Sequence, residues 1–442
     1  MKTPICDFLE AYAAKDPVRL HMPGHKGQGS PVAPYDLTEV EGADSLYEAG
    51  GIIAESERNA GLLFGCHTFY STEGSSLAIR AMLYLAALDA KHKGQKPHII
   101  AGRNAHKVFL SAVALLDLTV TWLSPKGSSY LSCPITADDL REALTRDPSV
   151  TAVYLTSPDY LGNTVDLKAI AAVCYEHGVL LLVDNAHGAY LKFLPQSRHP
   201  MDLGADLCCD SAHKTLPTLT GCAYLHIAKA APSFLIDGAK QALALFGSTS
   251  PSYLMLASLD AVNRYLAKDF RRDLAACTLR IEALKNTLTA HGYTLVGDEP
   301  MKVTVATKAY GYRGTDLSRL LAEQGFVAEF ADPDHLTLML SPAVAEHLDA
   351  LKETLTAIPR RDPIIDTPPT FSLPQTIVTP REAILSEAEE LPAADCLGRI
   401  VAAVTVGCPP AVPIVVSGER IEKAHVAAFA YYGITTCRVV KA

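Results

Sequence analysis

The run Asp206-Leu-Cys-Cys-Asp-Ser-Ala-His-Lys-Thr-Leu-Pro217 begins as an apolar strand and breaks into a polar loop that carries Lys214. Upstream of it, the apolar strand Val179-Leu-Leu-Leu-Val183 ends in the polar stretch Asp184-Asn-Ala-His187. Such strands are typical of a parallel sheet covered on both faces, whose ligands bind at the carboxyl ends of the strands. We therefore expect the amine of Lys214 and the carboxylate of Asp184 to lie at one edge of a sheet.

This pair of side chains is what pyridoxal phosphate (PLP) requires of a protein. A lysine holds the cofactor's aldehyde as a Schiff base, and an acid keeps the pyridine nitrogen protonated so that the ring accepts electrons. Burial and neighbouring cations lower the pKa of a lysine and supply the neutral amine that this chemistry needs. His187 is then expected to support the ring or its 3′-oxygen. Read singly, Lys214 fits a surface lysine, Asp184 a strand-end cap and His187 a hydrogen-bonded structural histidine.

A second stretch, Thr72-Glu-Gly-Ser-Ser76, opens an apolar helix and fits the phosphate of that cofactor. The N–H groups of a helix N-terminus bind anions, Gly74 lets the backbone approach closely, and Ser75 and Ser76 supply hydroxyls. The same residues also fit an ordinary serine cap. His106, which follows a strand, is a candidate to stack on the cofactor ring, although a core or capping histidine fits there too.

Other site classes lack their motifs. Ser211-Ala-His-Lys214 matches the S-x-x-K pattern of penicillin-binding proteins, but the S-D-N and K-T-G tripeptides that accompany it are absent. No G-x-G-x-x-G follows a strand and no Walker A sequence occurs, which argues against nicotinamide and nucleoside-triphosphate sites. The eleven cysteines include no C-x-x-C pair, so we expect neither a zinc site nor a disulfide framework.

Composition predicts a soluble protein without a nucleic-acid or membrane partner. Acidic and basic residues are mixed along the 442 residues and leave a net charge of −9, which argues against nucleic-acid binding. No apolar stretch approaches the roughly 18 residues of a membrane span, and Met1–Glu10 carries acids where a signal peptide is apolar. Together with scattered thiols, these features predict a cytoplasmic location.

Strands and helices are expected to alternate from about residue 60 to residue 230, which predicts a mostly parallel α/β sheet with helices on both faces. The predicted strands are His98–Gly102, Leu118–Leu123, Thr151–Thr156, Val179–Asp184, Asp206–Cys209 and Cys222–Ile227. The predicted helices are Ser75–Lys91, His106–Leu115 and Leu167–Glu176, followed by helical periodicity over residues 252–290.

The remainder of the chain predicts two smaller units. A strand (Lys302–Thr307), a helix (Asp316–Glu323), two strands (Val327–Phe330 and His335–Leu340) and a last helix describe a small α+β domain. A Pro-rich linker, Asp362–Pro374, precedes a C-terminal α+β unit. We thus predict an arm (1–40), a PLP-binding large domain (41–290), a small domain (291–361) and a C-terminal domain (375–442).

Six segments carry a resemblance that covers nearly the whole chain. They are Arg19-Leu-His-Met-Pro-Gly-His-Lys26, Asp36-Leu-Thr-Glu-Val-Glu-Gly-Ala-Asp-Ser-Leu46, Gly51-Ile-Ile-Ala-Glu-Ser-Glu57, Asp184-Asn-Ala-His-Gly188, Ser211-Ala-His-Lys-Thr-Leu216 and Thr249-Ser-Pro-Ser-Tyr253. In this order they resemble the bacterial ornithine/lysine/arginine decarboxylases, which are PLP enzymes of fold type I, the aspartate-aminotransferase-like fold. The chain is similar to the short branch, which lacks an amino-terminal domain related to response regulators.

The resemblance implies a role for each candidate residue. Lys214 would be the Schiff-base lysine, Asp184 the partner of the pyridine nitrogen, and His106 the ring that stacks on the cofactor. The residues implied around the phosphate are Ser75, Ser76, Ser211 and His213, with Thr249 or Ser250 donated across a homodimer interface at which the active sites lie.

The implied activity is α-decarboxylation of a small basic amino acid, with arginine favoured over lysine and ornithine, and a place in polyamine biosynthesis. Lys214 or His213 would return the proton to Cα. The cationic substrate tail needs an acid, for which Glu419, Glu41 and Asp44 are candidates.

Two departures leave the substrate open. Asn185 stands where the family often has Glu, and Cys408-Pro-Pro-Ala-Val-Pro413 replaces a Tyr-Pro-Pro-Gly-Ile-Pro segment. An aminotransferase or aldolase-like lyase of the same fold is the alternative enzyme, with Arg313 as a candidate carboxylate receptor. A catalytically dead scaffold is disfavoured, because such a protein has no need for Lys214, Asp184 and the serines together.

Overall fold

A computed structural model of the chain describes residues 1–125, 127–407 and 412–441. Its strands are β1 (His67–Ser71), β2 (His98–Gly102), β3 (Thr119–Leu123), β4 (Ala152–Thr156), β5 (Leu180–Asp184), β6 (Leu207–Asp210), β7 (Ala223–Ile227), β8 (Thr294–Val296), β9 (Lys302–Ala306), β10 (Phe330–Ala331), β11 (His335–Met339), β12 (Ala388–Pro392), β13 (Thr405–Val406), β14 (Val415–Val416) and β15 (Thr436–Val440).

The α-helices are α1 (Pro4–Ala14), α2 (Ile52–Phe64), α3 (Gly74–His92), α4 (Lys107–Leu116), α5 (Ala137–Arg146), α6 (Leu167–His177), α7 (Pro200–Leu203), α8 (Ala212–Thr215), α9 (Ser233–Asp237), α10 (Ala239–Ala244), α11 (Tyr253–Lys268), α12 (Phe270–Ala290), α13 (Gly314–Glu323), α14 (Leu348–Ala357), α15 (Pro380–Leu385) and α16 (Lys423–Tyr431). None of the helices in the described ranges combines the length and apolar character that a membrane span needs.

The described chain divides into two compact units, Met1–Lys96 with Gly178–Asp273 and Pro97–His177 with Leu274–Ala442. In the first unit, four strands are neighbours in the order β1-β7-β6-β5. Strands β5 and β6 are parallel, whereas β7 runs antiparallel to both β6 and β1. The parallel pair brings the ends of β5 and β6 to one edge, and that edge carries the candidate site.

Helix α3 forms the main support of this part of the sheet. Its sequence is rich in Ala and Leu, which are strong helix formers. Residues on its inner face, such as Leu77, Met82 and Leu85, are fully buried, and the helix contacts β6, β7 and α10. Burial of each such side chain contributes roughly 1.5–3 kcal/mol, so the N-terminus of α3 is held firmly against the sheet.

The second unit contains three parallel strands in the order β4-β2-β3 and a four-stranded antiparallel sheet in the order β10-β11-β9-β8. Two short pairs, β12-β15 and β13-β14, accompany a C-terminal core that includes Val401, Ile414, Phe429 and Val439. Parallel strands alternate with helices in both units, with β5 and β6 paired in the first and β4, β2 and β3 in the second, so the predicted α/β fold class is confirmed.

Some sequence-based boundaries are wrong. The predicted strand at Val327–Phe330 does not form before Phe330, because Val327 is largely exposed and pairing with β11 is limited to Phe330 and Ala331. Strand β1 (His67-Thr-Phe-Tyr-Ser71) was not predicted, since it lacks the apolar run that marks its neighbours. The antiparallel direction of β1 and β7 was also not predicted, because strand periodicity carries no information on direction.

Candidate active site

The two polar strand ends identified in the sequence are joined at one edge of the first unit. In the parallel pair, Asp184 at the end of β5 lies opposite Cys209 of β6. After Asp210 the chain turns through Ser211 into the short helix α8, which presents Lys214. The Lys214 Nζ lies 3.0 Å from Nε2 of His187, and His187 belongs to the turn that follows β5. An amine, an imidazole and a carboxylate therefore come from adjacent strand ends.

Asp184 is held in a buried, polar position. Its side chain is only 2% exposed, and its Oδ1 accepts the N–H of Ala186 at 3.2 Å. The Cys209 thiol donates to the same oxygen at 3.5 Å. Burial, followed by the charges of Asp184 and Asp210, raises the pKa of Cys209 far above its usual value, so the thiol keeps the proton that it donates.

The N-terminus of α3 borders an open space near these residues. The Ser211 hydroxyl donates to Ser75 Oγ at 2.8 Å and so joins the loop before Lys214 to the first turn of the helix. Gly74 has φ +70°, and a methyl group added there would meet no atom within 4 Å, so the space in front of the helix is open. The first N–H groups of a helix have no intrahelical acceptor. Ser76, half-buried, lies in the same turn.

The other predicted site residues contact neither Lys214 nor Ser75 in the hydrogen bonds described below. Nδ1 of His213 lies 2.9 Å from the carbonyl oxygen of Cys222, so the backbone before β7 engages this ring. Thr249 and Ser250 are exposed in the loop before α11, and the Ser250 N–H donates to Ser248 Oγ. His106 belongs to the second unit, where it caps α4 by accepting the Val108 N–H at 3.3 Å and is exposed.

Two of the acids proposed for the substrate tail have structural roles instead. The two oxygens of Glu419 accept from Arg103 Nη1 and Nη2 at 2.7 and 2.8 Å, and both side chains are buried. Glu419 also accepts the Val416 N–H, so both of its oxygens are engaged by partners within the second unit. Arg103 further lies over the Trp122 ring, 4.9 Å from its centre. These contacts correct the sequence-based expectation for Glu419.

Asp44 is likewise a helix cap. It accepts the backbone N–H groups of Gly50, Gly51, Ile53 and Ala54 at the start of α2. These bonds outweigh the effect of burial and lower the pKa of its carboxyl group. Glu41 is exposed. Arg313, the candidate carboxylate receptor, instead donates to Asp366 Oδ2 at 2.6 Å.

The sequence-based analysis missed a buried polar cluster directly behind Asp184 and Ser211. Asp210, His199 and His226 are all 0% exposed, and both imidazoles contact the Asp210 carboxylate. The only local signal was an acid at the end of an apolar strand. The histidines lie on other elements, so periodicity could not connect them.

Comparisons with known proteins agree with this architecture. The family model for the Orn/Lys/Arg decarboxylase major domain matches residues 3–295, and the model for the C-terminal domain of the same decarboxylases matches residues 369–437. The chain belongs to the Orn/Lys/Arg decarboxylase family. The predicted family is thereby confirmed, and the protein is an amino-acid decarboxylase.

One curated relative supports the same assignment, and two solved structures share the fold. The arginine decarboxylase of Bacillus subtilis (strain 168) is 30% identical over 464 aligned residues, covering 96% of this chain and 92% of the relative. The constitutive lysine decarboxylase of E. coli superposes with a TM-score of 0.78 at 19% identity, covering 100% of this chain and 82% of that one. A serine palmitoyltransferase from Sphingomonas wittichii shares the fold with a TM-score of 0.56 at 17% identity, covering 79% and 82%.

Proposed function

We propose that this decarboxylase removes the α-carboxyl group of a basic amino acid with PLP as cofactor and releases the corresponding amine and carbon dioxide. One observation carries the proposal. The Lys214 amine lies 3.0 Å from the His187 imidazole at the strand edge that also presents the buried Asp184 carboxylate. Of the three basic amino acids, we propose arginine, because the Bacillus subtilis relative that aligns over 96% of the chain is named an arginine decarboxylase.

The donor set of the first unit fits PLP. The cofactor needs an amine for its aldehyde, an acid for its pyridine nitrogen, and N–H and hydroxyl donors for its phosphate. Lys214 and Asp184 meet the first two needs. Ser75 and Ser211, already joined by a hydrogen bond at 2.8 Å, meet the third at the open N-terminus of α3. When bound, PLP supplies an acceptor for the electrons that the departing carboxyl group leaves behind.

The remaining proposed contacts extend this arrangement. His187 would support the cofactor ring or its 3′-oxygen, and His106 would stack on the ring face. Ser76 and His213 would contribute to the phosphate environment, and Thr249 or Ser250 would reach it from a second copy of the chain. We propose a homodimer for this reason. We also propose that the enzyme lies in the cytoplasm and that its amine product enters polyamine biosynthesis.

The protein's own part in the reaction is orientation and proton transfer. The substrate carboxyl group must stand perpendicular to the cofactor plane, and side chains on the ring face hold it there. After carbon dioxide leaves, Cα requires a proton. We assign the donation of this proton to Lys214 Nζ, which lies at hydrogen-bonding distance from His187. We prefer Lys214 to His213 because the His213 ring is engaged by the Cys222 carbonyl. Lys214 is half-buried, which limits the water that competes for this step.

A side-by-side assay tests the proposal. The protein incubated with PLP should release carbon dioxide and the matching amine from arginine, and more slowly or not at all from lysine and ornithine. Lys214→Ala should abolish release, whereas Lys229→Ala, at an exposed lysine of the same unit, should leave it unchanged. Formation of a keto acid without carbon dioxide would favour the aminotransferase alternative. PLP binding without turnover of any basic amino acid would refute the decarboxylase function.

A further inference from the structure

The buried cluster behind the strand edge consists of Asp210, Asn185, His199 and His226, and is called the Asp210 cluster below. Asp210 Oδ1 accepts from Asn185 Nδ2 at 2.7 Å. Its Oδ2 lies 2.9 Å from Nε2 of His199 and 3.1 Å from Nε2 of His226. All four residues are 0% exposed. One carboxylate thus binds side chains from the β5 turn, the start of α7 and β7.

The tautomers follow from the neighbouring contacts. Nδ1 of His199 accepts the Met201 N–H, so its proton is on Nε2 and is donated to Asp210. His226 contacts Thr68 Oγ1 through Nδ1 at 3.0 Å and Asp210 through Nε2. Burial disfavours the charged form of His226, but Cys66 and Asp210 outweigh it and raise its pKa to about 9. Burial would raise the pKa of Asp210, yet the two imidazoles hold it well below its usual value.

The cluster is therefore an internal ion pair with a neutral second imidazole. Donor atoms of His199, Cys208 and Asp210 lie within 4.8 Å of one another, which would also suit a metal ion. However, the His199 nitrogen that faces Asp210 carries a proton, and burial together with Asp210 raises the pKa of Cys208 far above its usual value. Hydrogen bonds account for the contacts among these atoms.

The position of the cluster connects it to both halves of the catalytic edge. Asn185 directly follows Asp184, and its N–H donates to the Cys209 carbonyl at 3.0 Å. Asp210 directly precedes Ser211, whose hydroxyl contacts Ser75 and whose carbonyl accepts the Lys214 N–H. A hydrogen bond between the side chains of Asn185 and Asp210 therefore ties together the two turns that present Asp184 and Lys214.

Neighbouring residues pack closely against this link and restrict the movement of the Asn185 amide and of the two imidazoles. A methyl group added to Gly188 would lie 2.0 Å from Asn185 Oδ1, so the turn after β5 closes tightly over the amide. On the other side, the Phe64 ring packs against both imidazoles, with ring centres 5.5 Å and 4.6 Å away. Packed and hydrogen-bonded outer residues of this kind fix the orientation of the residues that touch a cofactor.

We propose that Asp210 is a positioning residue of the decarboxylation site, which acts through Asn185 to fix the direction of the Asp184 carboxylate relative to Lys214. This inference rests on the proposed function, because it assigns Asp184 to the pyridine nitrogen of PLP. Asp210 itself touches neither cofactor nor substrate. Its charge is balanced inside the cluster by His226, so it orients the edge without adding an uncompensated charge to it.

The test compares two carboxylates on the same strand pair. Asp206 precedes β6 and accepts the Leu181 N–H at 2.8 Å, so it joins β5 and β6 at their amino ends, away from the catalytic edge. Asp210→Asn should weaken PLP binding about tenfold and shift the absorption band of the bound cofactor and the pH midpoint of that band. Asp206→Asn should lower the melting temperature and leave both spectral properties unchanged.

A milder variant keeps the test informative if Asp210→Asn fails to fold. Asn185→Ala removes the link and leaves Asp210 with both imidazoles, so it should shift the band in the same direction. Where Asp210→Asn does fold, the double variant should shift the band no further than either single variant. Equal spectra for the wild type and Asn185→Ala, or equal effects of Asp210→Asn and Asp206→Asn, would overturn the positioning role.

The same measurements separate this inference from the proposed function. A wild-type protein that shows the cofactor band but releases no carbon dioxide refutes the decarboxylase function, while the spectral comparison among variants still decides the role of Asp210. A wild-type protein without any cofactor band overturns both.

Discussion

At the scale of single residues, burial and hydrogen-bond partners decide which acids are structural. Glu419 and Asp44 were candidates for the substrate tail because a cation needs an acid. The structure engages both oxygens of each acid, with Arg103 and the Val416 N–H in one case and five backbone N–H groups in the other. A buried acid whose two oxygens both bind groups of the fold is held in place by those groups, so we expect it to stabilise the fold rather than to bind the substrate tail.

The first prediction concerns this buried ion pair. Breaking a buried pair leaves an uncompensated charge and costs about 3 kcal/mol or more. Glu419→Gln should therefore lower the free energy of unfolding in urea by about 3 kcal/mol. Glu389→Gln, which breaks the half-exposed pair with Arg399, should cost less than about 1 kcal/mol. A Glu419→Gln variant that keeps the wild-type stability but no longer turns over arginine would show instead that Glu419 binds the substrate tail.

Only part of the site could be predicted from the order of its residues along the chain. Lys214 and Asp184 were selected from the polar ends of two strands and Ser75 from the start of a helix, whereas Ser211 came from the family resemblance. The structure brings the four residues to one edge of the first unit. The Asp210 cluster was missed because its hydrogen bonds join residues 25, 11 and 16 positions apart on different elements. A short-range pattern contains no signal for such contacts.

At the scale of elements, the N-terminus of α3 is the feature most specific to an anion. The helix starts at Gly74 with a left-handed φ of +70° and ends before Gly94 with φ +68°, and neither glycine has an atom within 4 Å of an added methyl group. Gly74 and Gly94 therefore have the same backbone conformation and the same open space at opposite ends of one helix, so each is a control for the other. Only the first end faces the serine hydroxyls that we assign to phosphate.

The second prediction uses this pair. Gly74→Ala and Gly94→Ala should each lower the free energy of unfolding by about 1 kcal/mol, because L-residues are strained in the left-handed region. Only Gly74→Ala should weaken PLP binding, since its methyl group occupies the space that a phosphate would approach. Equal PLP dissociation constants for the two variants, measured by fluorescence titration, would remove α3 from the phosphate site.

Element boundaries were predictable where apolar runs are clean. Strand β2 has the predicted bounds, and β3, β4, β5 and β7 each begin one residue later than expected. Strand β1 and the antiparallel direction of β7 were missed, because mixed polarity hides a strand and direction depends on the connection rather than on composition. The proposed boundaries of the arm, large, small and C-terminal domains stay predictions. Of the Cys408–Pro413 segment, residues 408–411 lie outside the described residues.

At the scale of the whole molecule, the buried imidazoles make stability depend on pH. The folded pKa of His226 is about 9, above the reference value of 6.5. A base whose pKa is raised by folding contributes its full stabilisation below the unfolded pKa, and this is lost as the pH rises through the folded pKa. The shift corresponds to about 3 kcal/mol.

The third prediction follows from that sign. The free energy of unfolding should fall between pH 6.5 and about 9 more steeply in the wild type than in His226→Gln. His177→Gln, at an exposed histidine, serves as the control and should follow the wild type. Parallel profiles for the wild type and His226→Gln would show that the Asp210 cluster holds no imidazolium.

The association of two chains remains a proposal at this scale. Thr249 and Ser250 are exposed in a single chain, as residues donated to a second copy would be. Sedimentation of the purified protein should give twice the 47.3 kDa chain mass. A monomer with full turnover would exclude a site shared between copies.

The position of the covalent link to the cofactor decides most directly whether this strand edge is the active site. Protein incubated with PLP, reduced with borohydride and digested should carry the pyridoxyl label on the peptide that contains Lys214, and the label should be absent from Lys214→Ala. A label on another lysine of the wild type, or none at all, would contradict the assignment of this strand edge as the active site.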